Sequence, residues 1–527
     1  MEESSVDLNV SIHDVFEKAY KRYPDKEFIY DGYKRLTYKD IKQMSDSIAS
    51  AFHQLGIGKG DRIIACLPNW HEFLAIYFAI AKIGAILVPC NTRYRVEELS
   101  YIVANSGAKA IFVVEEHGHF HTVKSLMESN ESALEMVFTV RFQEDGHHSF
   151  EDLLKIGQSK LPPEVSIDPK EDVFSILYTS GTTGLPKGAM LTHLNFVHNA
   201  ACTVEALQCD ENDVFLVVVP VFHVFGMVPS ILAAVTACAK MVFMEQFKAE
   251  AVLKMIEQEK ITIHHGVPTM FILELNHPQF KSYDLSSLRT GIIAAAPCPV
   301  EVVKKIRNEM GCNITISYGQ TETSPVVTIT SFTDSDIIRS ETVGRTIPGV
   351  EIKVVDVNRQ TVPTGEIGEL AVRGLNVMKG YFNMPEKTKE AIDQDGWLYT
   401  GDLVTLDEQG YVRIVGRKKE MIIRGGYNIY PREVEEILYK HPNVVEVAII
   451  GLPDTVLGEI SCAAVKLKDG ALETEESMKN YLKGKIADYK IPDKVVFVDE
   501  LPMTPSGKIK KVELQKKLKE DLQTELR

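Results

Sequence analysis

Between residues 71 and 89 the chain reads HEFLAIYFAIAKI and then, after Gly84, AILVP, a helical run with almost no polar face followed by a short apolar strand. A helix that is apolar all round has to be buried on every side, which places it inside a layered α/β fold. Lys82 interrupts the run, and it is too short to span a bilayer, so it reads as a core helix. The same alternation continues in 107–114 (GAKAIFVV) and 214–219 (VFLVVV, stopped by Pro220), both of which read as buried strands. At 527 residues the chain is too long for one ordinary core, so two or more domains are expected.

The pattern changes near residue 417. Before it, 368–374 (GELAVRG) and 410–417 (GYVRIVGR) read as short strands of a β-rich element. After it comes a compact α+β series: a helix from Pro431 to Tyr439, strands at 444–450 and 461–467, a helix around 475–487 and a strand at 494–498. Pro431 suits a first helical turn, where its missing donor costs nothing. Leu514, Leu518, Leu522 and Leu526 then recur every four residues, on one face of a closing helix. The expected division is 1–416 and 417–527, with the boundary in the Gly416-Arg417-Lys418-Lys419 turn. The fold class is α/β, with a large multi-sheet N-terminal domain and a small, mobile α+β C-terminal domain. No internal repeat or low-complexity tract interrupts it.

A net charge of −15 argues against nucleic acid as a partner, whose binding footprint is basic. Positive charge is concentrated locally instead, at Arg417, Lys418, Lys419 and Arg424, and again at Lys508, Lys510 and Lys511; the last two read as surface lysines. Eight cysteines without CxxC spacing fit neither a zinc site nor a disulfide framework, and point to a reducing compartment. The acidic start MEESSVDLNVSIHDVF lacks signal-peptide layout, and the ending Glu525-Leu526-Arg527 is not a peroxisomal address, so the cytoplasm is the expected location. Oligomeric state is not legible in the sequence.

The most informative segment is 178–188 (YTSGTTGLPKG), which follows the strand-like 174–177 and precedes a helix expected from His193. Its three glycines let backbone N–H groups turn toward one anion, hydroxyls add donors, and Lys187 adds a mobile charge suited to phosphate. It is not a Walker A loop, because Gly-Lys-Ser/Thr is missing. Alone, it would suit any flexible surface loop. It is accompanied, in order, by Tyr318-Gly319-Gln320-Thr321-Glu322, Tyr399-Thr400-Gly401-Asp402, Gly416-Arg417-Lys418-Lys419 and Pro505-Ser506-Gly507-Lys508. With these five motifs the chain resembles, from about Asp25 to Lys511, the acyl-adenylate-forming superfamily of acyl-CoA synthetases, peptide-synthetase adenylation domains and firefly-type luciferases.

The resemblance implies a ligase that joins an acid to ATP as an acyl-adenylate and then passes the acyl group to CoA, with Mg²⁺ as cofactor. It assigns the 180–188 loop, with Ser180, Gly181, Thr182, Thr183, Gly184 and Lys187, to the β- and γ-phosphates, Thr179 to the nucleotide, and Thr321 to the α-phosphate. Glu322, a hard oxygen ligand, is assigned to the metal. Tyr318 flanks the adenine with Ala295, Ala296 and Pro297, and Gly319 and Gln320 are assigned to the nucleotide. That turn reads Ala294-Ala295-Ala296-Pro297 where the family carries glycine, and alanine cannot enter positive φ without strain. Asp402, expected in a turn made by Gly401, and Arg417 take the ribose. Lys508 bridges the acyl carboxylate and α-phosphate. Rotation about Lys419 then exchanges Lys508 for Gly425, Gly426 and Tyr427, a path for the pantetheine arm of CoA.

His223, in Pro220–Gly226, falls on the aromatic-gate position of the family, with Val224, Met227, Val326 and Val327 as acyl-pocket residues. These are apolar, without a charge to pair with an amino acid. Burial contributes roughly 0.8 kcal/mol per methylene, enough to select an alkyl chain. Medium- or long-chain fatty acids are the first expectation and aryl acids of the coumarate or benzoate kind the second. A carrier protein as acceptor, a luciferase-like oxygenase and an inactive nucleotide-binding protein are the alternatives.

Overall fold

The computed structural model describes residues 9–115, 118–128, 133–179, 186–296, 298–503 and 509–525, with side chains as far as residue 520. His71–Ile83 is a helix, and every residue of it except Lys82 is buried. Its Phe73, Tyr77 and Phe78 are fully buried, at roughly 1.5–3 kcal/mol for each such side chain. The helix ends on Gly84 at φ 68°, and the chain continues into the strand Ile86–Pro89.

That strand belongs to an eight-stranded sheet, in the order Gly380–Tyr381, Lys187–Thr192, Val173–Thr179, Ile86–Pro89, Arg62–Ala65, Ala110–Val113, Met136–Thr139 and His148–Ser149. Six strands pair in parallel; at one edge Lys187–Thr192 runs opposite to them and is itself paired antiparallel with Gly380–Tyr381. A five-stranded sheet carries Val214–Val217 at its interior. Two four-stranded sheets follow. One runs Ile292–Ile293, Thr315–Gly319, Val326–Ile329, Arg345–Thr346; the other runs Val350–Val355, Gly368–Gly374, Leu398–Leu406, Val412–Arg417.

Beyond residue 421 a separate sheet forms from Ile422–Arg424, Tyr427–Ile429, Val444–Asp454, Gly458–Leu467 and Lys494–Phe497, flanked by the helices Pro431–Leu438, Glu475–Leu482 and Lys511–Glu525. Its two buried clusters draw only on residues from Ile422 onward, whereas the clusters before it end at Val412. Leu514 and Leu518 pack into it as the four-residue spacing predicts; Leu526 lies outside the described residues. Lys511 differs from expectation: only 20% exposed, it bridges Glu420 at 3.1 Å and Glu435 at 2.8 Å. All eight cysteines are free. No described helix is long and apolar enough to cross a membrane.

Candidate active site

The segment 180–185 and Pro297 and Lys508 lie outside the described residues, so the glycine-rich loop is seen only at its ends. Between the loop and the helix expected from His193 the structure adds a strand that the sequence did not reveal, Lys187–Thr192, paired antiparallel with Val173–Thr179 in the register Thr179↔Lys187. The helix His193–Leu207 begins directly after that strand, where it was expected.

The outer edge of that strand pairs with Gly380–Tyr381. Pairing brings the Tyr381 hydroxyl to 3.0 Å from Lys187 Nζ, and the ammonium stands 4.1 Å from the ring centroid. The same hydroxyl donates to Glu322 Oε1 at 2.8 Å. Lys187, Tyr381 and Glu322 thus form one chain of cation, hydroxyl and carboxylate. Burial holds Lys187 below the ordinary lysine range; Glu322 opposes that shift and the charge of Lys419 adds to it. Burial and the Glu322 anion push Tyr381 well above the ordinary tyrosine range.

Glu322 owes its position to the backbone on both sides. Strand Thr315–Gly319 ends where a Cβ on Gly319 would lie 1.5 Å from the Pro325 carbonyl oxygen, so only glycine allows the chain to double back there. The turn is then closed by Gln320 N–H donating to Thr323 Oγ1 at 3.0 Å and by that hydroxyl donating to Pro325 O at 2.9 Å. Met378 N–H donates to the Glu322 carbonyl at 3.0 Å, and the Ser324 hydroxyl to Asn376 O at 2.8 Å. Thr321 stands beside Glu322 in this turn, partly exposed. Glu322 Oε2 receives no hydrogen bond from a described residue, which leaves one anionic oxygen for a hard cation.

A second group forms on the neighbouring sheet. Asp402 lies in a strand, Leu398–Leu406, and not in the turn expected; Gly401, at φ 74°, kinks that strand. Asp402 faces Arg417 across the ladder, and its Oδ1 is 3.0 Å from Arg417 Nε. Tyr318 donates to Oδ2 at 2.5 Å. An ionised carboxylate has about four acceptor positions, so both oxygens can still accept from a vicinal diol. Asp402 is nearly buried, whereas Arg417 is half exposed and its charge is reinforced by Asp402. Lys418 and the Gly401 N–H share Glu369, at 2.9 and 3.0 Å. Lys419 follows, exposed in the turn after the strand.

Ala294, Ala295 and Ala296 leave strand Ile292–Ile293, which runs parallel to Thr315–Gly319, so their turn stands at the same end as Tyr318. Ala295 takes φ 73°: the chain accepts the left-handed strain that glycine would avoid.

His223 is partly buried, and its Nδ1 accepts from Phe225 N–H at 3.2 Å. Val224 and Met227 belong to one core cluster, Val326 and Val327 to another. Helix His193–Leu207 joins the two segments. It packs on the π-helical turn Gly226–Leu232, while its Asn199 bonds both backbone groups of Val326, at 2.9 and 3.1 Å. Gly425 and Gly426, at φ 55° and 87°, form the two-residue turn between Ile422–Arg424 and Tyr427–Ile429. A hairpin of this kind requires positive φ at both positions, so the turn alone accounts for both glycines. Tyr427 is exposed, with its ring 4.9 Å from Tyr489.

Tyr381 and Asn199 were not singled out in the sequence, because their roles arise from strand pairing and helix packing between distant segments. Asp31, His71 and Glu72 also converge as potential metal ligands among the described residues. Arg141 occupies that position, bonding Glu72 at 2.8 and 3.0 Å and Asp31 at 2.9 Å, so the group is an ion-pair network.

A loop lysine joined to an acidic turn, and a buried aspartate paired with an arginine, on a multi-sheet α/β body are the parts that an adenylate-forming enzyme uses. The chain belongs to the AMP-binding enzyme family: the family's sequence profile matches residues 16–382, and that of the AMP-binding enzyme C-terminal domain matches 433–508. It is 43% identical over 97% of both chains to YngI of Bacillus subtilis (strain 168), provisionally named an acyl-CoA synthetase. It is 35% identical to the human mitochondrial medium-chain acyl-CoA ligase ACSF2, over 96% of this chain and 87% of that one. Among solved structures it superposes on the anthranilate CoA ligase AuaEII in complex with anthranoyl-AMP with a TM-score of 0.90, at 28% identity over 99% and 100% of the two chains. The chain is an AMP-forming acid–CoA ligase, with ATP and CoA as substrates.

Proposed function

We propose that the acid is a medium- or long-chain fatty acid. The observation that carries this is the character of the acyl-side segments: Val224, Met227, Val228, Ile231, Val326 and Val327 are all buried and apolar, with no charged side chain among them. The name of the human relative agrees with it. An aryl acid is the second reading, favoured by the likeness to a structure that holds anthranoyl-AMP.

In this reading residues 180–184 and Lys187 hold the β- and γ-phosphates, and Thr321 bonds the α-phosphate. Asp402 and Arg417 bind the ribose. Tyr318 flanks the adenine with Ala295, Ala296 and Pro297, and Gly319 and Gln320 hold the nucleotide. Glu322, with one oxygen bonded to Tyr381 and the other open, suits Mg²⁺, which when bound neutralises phosphate charge. Lys508 neutralises the two anions that must meet during adenylation. His223 gates the acyl entrance.

The small domain, 417–527, turns about Lys419 and presents Gly425, Gly426 and Tyr427 to CoA. Its separate hydrophobic clusters support movement as a unit. Eight free thiols support a reducing compartment, the cytoplasm.

The test is acid-dependent release of AMP and pyrophosphate over a panel of fatty and aryl acids, with and without CoA. Turnover that needs a fatty acid and CoA, with acyl-CoA appearing, is the expected result. Turnover only with aryl acids sinks the fatty-acid reading, and exchange without CoA turnover moves the acceptor to a carrier protein. Lys508→Ala should abolish adenylation yet leave thioester formation from preformed acyl-AMP largely intact; equal loss of both removes the assigned division of labour.

A further inference from the structure

The turn Gly226–Leu232 is π-helical and contains Pro229, and its return to α-helix at Ala233 leaves one carbonyl without its α-helical donor. Pro229 has no N–H to give to the Phe225 carbonyl, which also accepts from the Ser230 hydroxyl at 3.3 Å. Ala233 N–H goes to Val228 O and Ser230 O, which skips Pro229 O, the carbonyl that an α-helix would supply. His265 fills that gap: its Nε2 stands 3.1 Å from Pro229 O.

His265 is fully buried, and its other nitrogen is also committed. Nδ1 accepts from Ile292 N–H at 3.0 Å, so the ring is neutral, with its single proton on Nε2. Burial agrees with this, pushing the imidazole down to about 3. Phe215 and Phe225 stand 5.8 and 5.9 Å from the ring. His265 thus lies at a seam. On one side is the π turn that carries Met227 and Val228; on the other is strand Ile292–Ile293, which leads directly into Ala294 and Ala295. π turns concentrate at functional sites because they change the direction of a helix face within one turn.

We propose that His265 is a specificity-determining positioning residue. As one fixed tautomer it holds the π turn against the backbone that carries the adenine-side turn, and so sets the depth available to the acyl chain relative to the nucleotide. This rests on the reading that Gly226–Leu232 borders the acyl pocket. It names a residue that touches neither substrate.

His265→Leu keeps an apolar side chain of similar bulk and removes both hydrogen bonds. His265→Gln keeps an amide donor and acceptor. For each, kcat/KM is measured with straight-chain acids from hexanoate to hexadecanoate, together with KM for ATP and the melting midpoint. A methylene that fits its pocket changes the rate about fourfold. The Leu variant is expected to displace the chain-length optimum, changing the octanoate-to-dodecanoate ratio about tenfold or more, with KM for ATP little changed. The Gln variant should restore the native profile.

An unchanged profile in His265→Leu overturns the inference, as does a uniform loss at every length accompanied by a rise in KM for ATP, which marks a merely structural role. If the native enzyme activates only aryl acids, the fatty-acid reading fails separately. The ratio between benzoate and its para-substituted derivatives then replaces chain length, and an unchanged ratio in His265→Leu overturns the inference. Should that variant not fold, Ser230→Ala removes the other side-chain bond on the same turn, and an unchanged profile there counts against it equally.

Discussion

Replacing Tyr381 with phenylalanine removes one oxygen atom from the contact that joins the loop lysine to the acidic turn. That oxygen accepts from Lys187 at 3.0 Å and donates to Glu322 at 2.8 Å. Hydrogen bonds to charged groups contribute roughly 1.5–3 kcal/mol each. Bound nucleotide and water replace part of what is lost, so the net effect should be about one such bond, or roughly 10- to 150-fold in kcat/KM for ATP. The ring itself, 4.1 Å from Nζ, remains in the Phe variant. Tyr381→Leu removes it too, and a cation–π contact of about 0.5–2 kcal/mol adds roughly 2- to 30-fold. The assay is acid-dependent pyrophosphate exchange, titrated separately with ATP, Mg²⁺ and acid, alongside thermal melts. The expected pattern is a graded rise in the ATP and Mg²⁺ required, in the order Tyr, Phe, Leu, with KM for the acid within about twofold. A Phe variant within about twofold of native in kcat/KM for ATP, at the same Mg²⁺ midpoint, would show that the hydroxyl only fills space.

Lys187 must keep its proton to hold phosphate, and burial lowers its pKa with help from Lys419, so exchange should fall with rising pH earlier than an ordinary lysine would cause. Lys419→Gln removes the repelling charge and should move that alkaline limb upward; a limb that stays put belongs to another group. Asp402→Asn weakens the contacts to Arg417 and Tyr318 and should raise KM for ATP roughly 10- to 150-fold. An equal rise in KM for the acid would mean that Asp402 supports the fold and not the ribose. Ala295→Gly should release about 1–2 kcal/mol of left-handed strain and give back roughly 0.5–1 in chain entropy. A small rise in melting midpoint is therefore expected, and a fall would show that the turn is not strained.

What the sequence revealed and what it hid divide by the range of the interactions. The core helix His71–Ile83, the strands on either side of Asp402 and the closing helix were legible because each is written in neighbouring residues: apolar periodicity, a proline at a first turn, a glycine at an end. The family motifs were legible for the same reason, since each is a short backbone device with its side chain attached. Strand pairing is not written locally. Nothing in 178–192 marks Lys187–Thr192 as a second strand, because its apolar run is short and borders a helix without a breaker. With that strand missed, the partner at its edge was missed too, and with it Tyr381. Lys511 was misread because a lysine's burial depends on whether two glutamates from other elements meet it. Ala295 marks the opposite limit: the sequence identified the strain, but only the backbone shows that the chain bears it. That tolerance has a physical source. Gly266 N–H donates to Ile292 O just before the turn, at 3.0 Å, and Ala294 N–H donates to Gly266 O at 3.3 Å, so the surrounding ladder fixes the path that Ala295 must follow.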